Sequence, residues 1–337
     1  MRSQHMSVTR RGGVDMMELR SSEIGPAGHG EAVVRVEAAG VSYGDILLRL
    51  GVIPGAPKPP FIPGYDISGV VEQVGPGVSD LRVGQPVAAL LPTGGYSERI
   101  SVPAARLVPR PAGAGAVESA AVALNYFIVH QMLHRVAKVR AGQRILVHGA
   151  SGGVGMAFLQ LAALAGVECY GTASTGKLDL VTRYGGHPID YRRQNFVDVI
   201  RALPGGGVDA VFDAIGGTHF LRSYSVVRRG GIMVAYGQSA ALVDGKPNML
   251  IGALGFLGGV IAPKLVPDGR RTVFYNAWSL EKAEPDAYHQ DLGTVLGLLA
   301  DHKIEPRIAK TVPLDKAASA QRDLEAGSVT GKVVLTT

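Results

Sequence analysis

The sequence predicts an α/β protein in which a small, irregular β-barrel precedes a doubly wound parallel sheet. Residues 31–112 hold short β-branched runs separated by glycine and proline, a pattern typical of a barrel. From Gln143 onward, apolar strands and helices alternate, and repeated βα units favour a parallel sheet with helices on both faces. A chain of 337 residues is also longer than one hydrophobic core usually serves, so two domains are expected.

The expected elements follow from these periodicities. The barrel strands are expected at 32–36, 69–74, 83–91 and 96–102, and an alanine- and leucine-rich helix at 114–139. The parallel strands are expected at 144–148, 167–172, 188–190, 208–213 and 231–236. The helices between them are expected at 154–165, 177–184, 195–203 and 217–227. The remaining expectations are a buried or lid-like apolar segment at 249–262, a strand at 271–278, helices at 286–301 and 314–327, and a last strand at 332–336.

The last strand follows a complete dinucleotide-binding region, so the tail is expected to return to the barrel. The sequence therefore predicts one domain from residues 7–124 and 264–337, and a nucleotide-binding domain from residues 125–263. The first six residues, MRSQHM, lack the apolar core of a secretory signal, and their early internal His-Met indicates an expression leader outside the fold.

Charge and composition argue against a nucleic-acid-binding protein and against a membrane-spanning one. The net charge is +6, but the basic residues are scattered singly or in pairs, which favours a solvated basic surface or a pocket for a phosphorylated cofactor. Nucleic-acid binding is thus disfavoured, with RNA binding kept as a minor alternative. No apolar run is long enough to span a membrane, and the cytoplasm is the default compartment. The single cysteine, Cys169, lies in an apolar run and is expected to be a buried, inert thiol.

A glycine-rich loop follows the first strand of the second region. A loop of this type between a strand and a helix predicts a dinucleotide site, because small residues permit a tight turn and let backbone N–H groups approach a pyrophosphate. The helix N-terminus adds a partial positive charge. Ala150 stands at the first glycine position, which is a small departure from the pattern. The residues of the loop are Ala150, Ser151, Gly152, Gly153, Val154 and Gly155.

The end of the next strand indicates NADPH rather than NADH. An acidic residue there would hold the free ribose 2′-hydroxyl, but the segment from Gly171 to Lys177 contains none. Ser174 can donate to a 2′-phosphate and Lys177 can neutralise it, with Arg192 or Arg193 closing the pocket.

Five stretches carry a resemblance to a known family. They are 39–45 (AGVSYGD), 63–71 (PGYDISGVV), 83–87 (VGQPV), 150–155 (ASGGVG) and 331–335 (GKVVL). Over nearly the whole chain from about residue 31, the sequence resembles the zinc-independent quinone oxidoreductase branch of the medium-chain dehydrogenase/reductase superfamily. Within that branch it looks nearest to the zeta-crystallin-like and vesicle amine-transport-protein-like members.

The resemblance implies a GroES-like barrel and a Rossmann domain, with the nicotinamide in the cleft between them. It places Asn125 near the nicotinamide and Tyr191 near the adenosine phosphate. A homodimer is also expected, because residues 271–276 read as an uncovered edge strand and relatives of this branch suggest the same arrangement. The full set of cofactor contacts implied by position is Ser42, Asn125, Gly152, Gly153, Val154, Ser174, Lys177, Tyr191, Tyr236 and Gln238.

The zinc ligands of the wider superfamily are missing. Ser42 stands at the first ligand position, the Gly-His-Glu signature reads Gly64-Tyr65-Asp66, and the nine histidines show no ligand spacing. No metal is therefore expected, and a metal-polarised alcohol oxidation is disfavoured.

Without a Lewis acid, the expected reaction is hydride transfer from NADPH to an electrophilic acceptor, a quinone or an α,β-unsaturated ketone or aldehyde. Ser42, Tyr43 and Tyr65 are the candidate donors to the developing oxyanion, although solvent can supply the proton and each tyrosine could equally be pocket wall. The alternatives are a dedicated biosynthetic enoyl reductase on the same scaffold, or an NADPH-binding protein with a structural or RNA-binding role. The substrate itself cannot be read from the sequence beyond its hydrophobic character.

Overall fold

The computed structural model describes residues 1–53, 55–243 and 246–337. The chain divides into two compact units, and the first is discontinuous in sequence: it consists of Met1–Phe127 and Asp286–Thr337. The second unit is Ile128–Pro285. Each unit has its own sheet, and each is described by itself below.

The strands are numbered in chain order. They are β1 (Arg2–Val8), β2 (Met17–Glu23), β3 (Glu31–Val41), β4 (Asp66–Val74), β5 (Pro86–Leu90), β6 (Arg99–Pro103), β7 (Val108–Pro109), β8 (Arg144–His148), β9 (Glu168–Ala173), β10 (His187–Asp190), β11 (Val208–Asp213), β12 (Val227–Ala235), β13 (Leu242–Val243), β14 (Lys246–Pro247), β15 (Arg271–Phe274), β16 (Ile308–Pro313) and β17 (Lys332–Thr336).

The α-helices are numbered in the same way. They are α1 (Tyr43–Leu50), α2 (Ala116–His130), α3 (Gly153–Leu164), α4 (Leu178–Arg183), α5 (Phe196–Arg201), α6 (His219–Ser225), α7 (Met249–Phe256), α8 (Ala277–Ala283), α9 (Ala287–Ala300) and α10 (Ala317–Glu325). Two π-helical segments, Gln131–Ala137 and Leu257–Ile261, continue α2 and α7, and short 3₁₀ turns lie at Val14–Met16, Ala104–Arg106, Thr175–Lys177, Ser239–Ala241, Ala262–Leu265 and Leu314–Lys316.

The first unit is built on a mixed sheet. Its strand order is β16-β17-β3-β4-β5-β7, and β6 also pairs with β3. The long central strand β3 supplies buried apolar side chains to the core, among them Val34 and Val36, which meet Ile67 from β4 and Val87 from β5. The C-terminal strand β17 pairs antiparallel with β3, so the tail completes this sheet as the sequence predicts.

Residues 1–6 belong to this unit, which corrects the expectation that they lie outside the fold. β1 pairs with β2 in antiparallel register from Arg2 opposite Glu23 to Val8 opposite Met17. Met6 is buried and donates its backbone N–H to the carbonyl of Tyr96. The segment is held by this strand pairing and by the burial of Ser3 and Met6, while Arg2 and Gln4 face the solvent.

The second unit contains a six-stranded parallel sheet. Its strand order is β10-β9-β8-β11-β12-β15, with crossover helices between successive strands. This is the order 3-2-1-4-5-6 of a dinucleotide-binding fold. In this fold the order in which strands are added across the sheet reverses between the first and fourth strands, here β8 and β11. The carboxyl ends of β8 and β11 therefore meet at the switch point, where such sheets bind ligands.

The boundary between the units lies later than the sequence-based division at 263/264. β15 pairs in parallel with β12, with Ile232 opposite Arg271 and Ala235 opposite Phe274, and so completes the nucleotide-binding sheet. The return to the first unit comes at Asp286. β15 lies at the edge of the sheet, as the sequence predicts for this segment.

The apolar insert before β15, expected at 249–262 as a buried or lid-like segment, is largely exposed, which corrects the first of these two alternatives. Leu250, Leu254 and Leu265 are 68%, 60% and 82% exposed. The insert contacts the rest of its unit through two glycines and through Val260, which is buried: a Cβ on Gly255 would lie 2.6 Å from the Gly217 backbone, and one on Gly259 would lie 2.2 Å from the Phe220 side chain. Across residues 1–53, 55–243 and 246–337, no helix combines the length and the apolar character needed to cross a bilayer.

Candidate active site

The predicted dinucleotide loop joins β8 to α3 at the switch point. β8 ends at His148, the chain turns at Gly149 with φ +71°, and Gly152 is the N-cap residue of α3. Among the residues that the structure describes, no side chain caps this helix N-terminus. The first backbone N–H groups of α3 are therefore left for an anion, which is the arrangement expected of a pyrophosphate site.

Glycine is required at Gly155 because the helix and the loop nearly touch there. A Cβ at this position would lie 2.3 Å from the carbonyl oxygen of Gly149 and 2.5 Å from the Cα of Ala150, both backbone atoms. The departure at Ala150 is accommodated from the next strand: a Cβ on Gly171 would lie 2.5 Å from the Ala150 methyl group. Because Gly171 has no side chain, the Ala150 methyl group fits at the position where the loop pattern has its first glycine.

The segment expected to bind the 2′-phosphate lies at the end of β9. Ser174 precedes the short 3₁₀ turn Thr175–Lys177, so Ser174 and Lys177 bracket one tight turn. Tyr191 follows β10, is 56% exposed, and donates its backbone N–H to the carbonyl of Ala173. The parallel pairing of β9 with β10 therefore brings Ser174, Lys177 and Tyr191 to the same edge of the sheet.

Asp190, a carboxylate on the neighbouring strand beside this segment, already accepts hydrogen bonds within the protein. It accepts a hydrogen bond of 2.6 Å from the hydroxyl of Thr175 and one of 3.0 Å from the backbone N–H of Arg192, while Arg193 lies 3.8 Å away. The hydrogen bond from Thr175 is the main reason that the pKa of Asp190 is lowered. The sequence argument did not identify this role, in which Asp190 ties the turn before Lys177 to β10.

Tyr236 and Gln238 follow β12 at the same edge of the sheet. Tyr236 donates its backbone N–H to the carbonyl of Asp213, and burial, then the charge of Asp213, raises the pKa of its phenol. The side chain of Gln238 approaches the insert, since its Oε1 would lie 3.1 Å from a Cβ on Gly252. Every predicted cofactor residue of the second unit thus lies at the carboxyl ends of the parallel strands.

A buried polar cluster beside the switch point was missed by the sequence argument. It contains His148 from β8, Asp213 from β11, and His219 and Ser223 from α6. Asp213 accepts hydrogen bonds from Ser223 at 2.6 Å and His219 at 2.8 Å, and Ser223 Oγ lies 3.0 Å from His148 Nε2. Asp213 and His219 follow His148 by 65 and 71 positions in the sequence. No local spacing pairs residues so far apart, so only the fold reveals the cluster.

The electrostatics of this cluster are those of a fixed core network. Burial lowers the pKa of His148 to about 3, despite the opposing charge of Asp213. Burial alone would raise the pKa of Asp213, but the hydrogen bond from His219 and the histidine charges lower it to about 2. At neutral pH the network therefore holds an ionised Asp213 and a neutral His148.

The same cluster is the one group of three metal-capable side chains within reach of one another in the described part of the chain. Its centre is filled: the Ser223 hydroxyl stands 2.6 Å from Asp213 Oδ2, 3.0 Å from His148 Nε2 and 3.5 Å from His219 Nδ1. These groups are hydrogen-bonded to that hydroxyl and to one another, so the arrangement does not fit a metal ion.

In the first unit, Ser42 is the N-cap residue of α1. Its hydroxyl accepts from the backbone N–H of Asp45, and the Asp45 carboxylate accepts from the Ser42 backbone N–H at 2.9 Å and hydroxyl at 2.7 Å. Asp45 is fully buried and also accepts from the backbone N–H of Gly64 at 2.8 Å and the hydroxyl of Tyr96 at 3.2 Å. Burial raises the pKa of Asp45 to about 6, against the lowering effect of the hydrogen bonds from Ser42.

The two candidate tyrosines differ in exposure. Tyr43 is 38% exposed, and burial and then the charge of Glu325 raise the pKa of its phenol. Tyr65 is more buried, and burial followed by the charge of Asp45 raises its pKa further. Neither hydroxyl makes a hydrogen bond within the described residues, and both remain protonated at neutral pH. Asn125, the other predicted contact of this unit, lies on α2 and is 6% exposed.

The zinc positions of the wider superfamily do not fit a metal here. The hydroxyl of Ser42 donates to Asp45, and Asp66 forms a buried ion pair of 2.6 Å with Lys332. Tyr65 stands at the histidine position of the Gly-His-Glu signature, and it offers a phenol with a raised pKa rather than an imidazole. The only thiol, Cys169, lies in the second unit and is buried, and burial raises its pKa to about 12. These donors cannot make the three- or four-ligand site that zinc requires.

Two family models match the chain. One is described as an alcohol dehydrogenase GroES-like domain and matches residues 28–112, and the other as a zinc-binding dehydrogenase and matches residues 185–335. The chain is 33% identical to the synaptic vesicle membrane protein VAT-1 homolog of Rattus norvegicus over 97% of its length and 82% of the relative's. It is 31% identical to the 2-haloacrylate reductase of a Burkholderia species, with 97% of both chains covered.

A solved structure is similar over the same extent. The quinone oxidoreductase of Pseudomonas syringae pv. tomato is 28% identical, with a TM-score of 0.87 over 99% of this chain and all of that one. The chain therefore belongs to the medium-chain dehydrogenase/reductase superfamily of oxidoreductases, in the branch of the quinone oxidoreductases and VAT-1 homologues.

Proposed function

We propose that the protein is an NADPH-dependent reductase that transfers hydride to a quinone or to an α,β-unsaturated ketone or aldehyde, without zinc. The proposal rests on the loop from Gly149 to Gly155. A Cβ on Gly155 would overlap the backbone of Gly149 and Ala150, and within the described residues no side chain caps the adjacent N-terminus of α3. NADPH, when bound, supplies the hydride; the protein orients it and excludes competing reactions.

The preference for NADPH rests on the end of β9. No carboxylate stands there to accept from a free 2′-hydroxyl, and Asp190 on the neighbouring strand is held by Thr175 and Arg192. Ser174 and Lys177 bracket a single turn and suit a 2′-phosphate instead.

Lys177→Ala is expected to weaken NADPH binding by about tenfold or more and to leave NADH binding nearly unchanged, since a charge-assisted hydrogen bond contributes about 1.5–3 kcal/mol. Fluorescence titration with both cofactors checks this. The control is Lys303→Ala, which removes an exposed lysine of the other unit. An equal loss for NADPH and NADH would remove the proposed role of Lys177.

The acceptor is inferred from the polar groups of the first unit. Tyr43 and Tyr65 keep their protons at neutral pH and can donate to an enolate or hydroquinone oxygen, although solvent can also supply that proton. Ser42 is less suited to donate, because its hydroxyl proton points to Asp45. The likeness to a protein named 2-haloacrylate reductase supports an activated alkene, since an acrylate has a double bond conjugated with its carboxyl group.

The test is a panel of acceptors assayed by the oxidation of NADPH, before and after dialysis against a chelator. A quinone and an enone should be reduced at rates that survive chelation, whereas the saturated ketone matched to that enone should not react, because no metal polarises its carbonyl. Reduction of the saturated ketone that disappears on chelation would contradict the proposal. NADPH binding without reduction of any acceptor would favour the structural or RNA-binding alternative.

We further propose a homodimer that pairs β15 with its two-fold mate. β15 has a partner on one side only, and an open edge invites such pairing. The exposed insert lies shortly before it in sequence and presents Leu254, Leu257 and Ile261 at 60%, 55% and 38% exposure. Exposed apolar side chains of this kind are costly to leave in water, which supports an interface here.

Light scattering at micromolar concentration should give the mass of a dimer. Leu254→Glu should shift the population toward monomer, because the new charge would have to be buried in the interface. Leu164→Glu is the matched control, since it places the same charge at another exposed leucine, on α3. A wild-type monomer, or equal effects of the two substitutions, would count against the interface.

A further inference from the structure

One buried carboxylate, Asp45, joins the two turns that carry the candidate residues of the first unit. The first turn contains Ser42 and Tyr43, and the second contains Gly64 and Tyr65. Asp45 Oδ2 accepts from the backbone N–H and the hydroxyl of Ser42 at 2.9 and 2.7 Å, while Oδ1 accepts from the backbone N–H of Gly64 at 2.8 Å. A single side chain therefore spans 19 positions of sequence between Asp45 and Gly64.

We propose that Asp45 is a positioning residue, whose carboxylate locks the Ser42–Tyr43 turn to the Gly64–Tyr65 turn so that Tyr65 and Ser42 keep fixed places toward the acceptor. The inference rests on the proposed function and concerns the same site. Asp45 is fully buried, so it acts through these two turns rather than by touching the substrate.

Close contacts explain the glycine beside each turn. A Cβ on Gly44 would lie 2.9 Å from the ring of Tyr65, so that ring rests directly on the first turn of α1. Gly64 has φ +104°, and a Cβ there would lie 2.6 Å from the ring of Tyr96. The first turn of α1 thus fixes the position of the Tyr65 ring by direct contact. Asp45 holds the N-terminus of the same helix.

The geometry requires a carboxylate rather than an amide. Four donors converge on two oxygens: two from Ser42, one from Gly64 and one from the Tyr96 hydroxyl. An asparagine has one acceptor oxygen, and its NH₂ group would face an N–H donor whichever way the amide is turned. One of the two turns must then lose its hydrogen bond to residue 45.

The charged surroundings of Asp45 bear on its ionisation. Asp66 from β4 raises the pKa of Asp45, but Asp66 is itself paired with Lys332 from β17. Tyr96 donates to Asp45, Tyr65 stays protonated, and Arg49 on the same helix is directed to Gln321 and Glu325. As pH falls through about 6, Asp45 takes up a proton and loses an acceptor, so the turns should loosen on the acid side.

The experiment compares Asp45→Asn with Tyr96→Phe, which removes one donor to the carboxylate but leaves both turns attached. In Asp45→Asn, hydrogen exchange of the peptides that contain Ser42 and Gly64 should become faster, kcat should fall by about tenfold or more, and NADPH affinity should stay within about threefold. The acid limb of kcat/KM, with its midpoint near pH 6 in the wild type, should vanish. Tyr96→Phe should keep that limb and the slow exchange at Gly64.

Wild-type exchange rates in Asp45→Asn, or an unchanged acid limb, would overturn the proposal. If Asp45→Asn does not fold, Ser42→Ala serves instead, since it deletes both hydrogen bonds between the Ser42 hydroxyl and Asp45 and should accelerate exchange at residues 42–45 but not at Gly64. If the wild type reduces no acceptor, the proposed function fails, while the exchange experiment still decides whether Asp45 holds the two turns.

Discussion

Gly155→Ala is expected to reduce NADPH affinity by at least about a hundredfold, equivalent to about 2.7 kcal/mol. The added Cβ would lie 2.3 Å from the Gly149 carbonyl oxygen and 2.5 Å from the Ala150 Cα. Both obstacles are backbone atoms, so relief requires the loop to move away from α3. Such a movement displaces the N–H groups that would face the pyrophosphate.

The measurement is a fluorescence titration with NADPH, accompanied by a thermal melt to verify that the variant is folded. Gly293→Ala on α9 is the control, because nothing lies within 4 Å of its Cβ position and alanine favours a helix. A Gly155→Ala protein that binds NADPH within about threefold of the wild type would refute the requirement for glycine at this position.

Acidification is expected to remove up to about 5 kcal/mol of stability through His148 alone. Its pKa is about 3 in the folded protein, against 6.5 for an unperturbed histidine, and burial is the main cause. The unfolded chain therefore binds the proton more readily between these values. The contribution is fully present above pH 6.5 and is lost as pH falls toward 3.

Urea unfolding at a series of pH values checks this expectation. His148→Gln should be less stable at neutral pH, because its contacts with Thr172 and Ser223 are disturbed, but its stability should vary less with pH since an amide does not charge. His29→Gln, at an exposed position, is the control and should keep the wild-type slope. A wild-type slope in His148→Gln would show that another group governs acid unfolding.

Local patterns were sufficient for much of the fold. The strands expected at 144–148, 208–213 and 332–336 coincide with β8, β11 and β17, because each is an apolar run bounded by polar or turn residues. Helix α1 was not predicted: its eight residues fall between two loops and are too few for a clear period. β12 begins at Val227, earlier than expected, because Arg228-Arg229-Gly230 interrupts the apolar pattern that marks a strand.

Some features of the candidate site could likewise be predicted from the sequence, and others could not. The glycine loop and the missing acid after β9 could be recognised from sequence, because the chemistry of a pyrophosphate and a ribose acts on consecutive residues. The capping pair of Ser42 and Asp45 also has a local signature, a serine followed three residues later by an acid, which the sequence argument quoted without assigning a role. The link from Asp45 to Gly64 has no such signature, since it joins residues in separate turns.

The sequence by itself thus determined the fold class, the alternation of strands and helices in the second unit, and the glycine loop expected to bind the cofactor, since each depends on periodicity or on neighbouring residues. The tertiary structure alone decided that residues 1–6 belong to the first unit, that the insert before β15 is exposed, and that Ser223 fills the centre of the His148–Asp213–His219 cluster. It also showed how Gly171 accommodates Ala150. These features depend on which distant side chains the packed sheets bring within a few ångströms, and composition and spacing do not encode that distance.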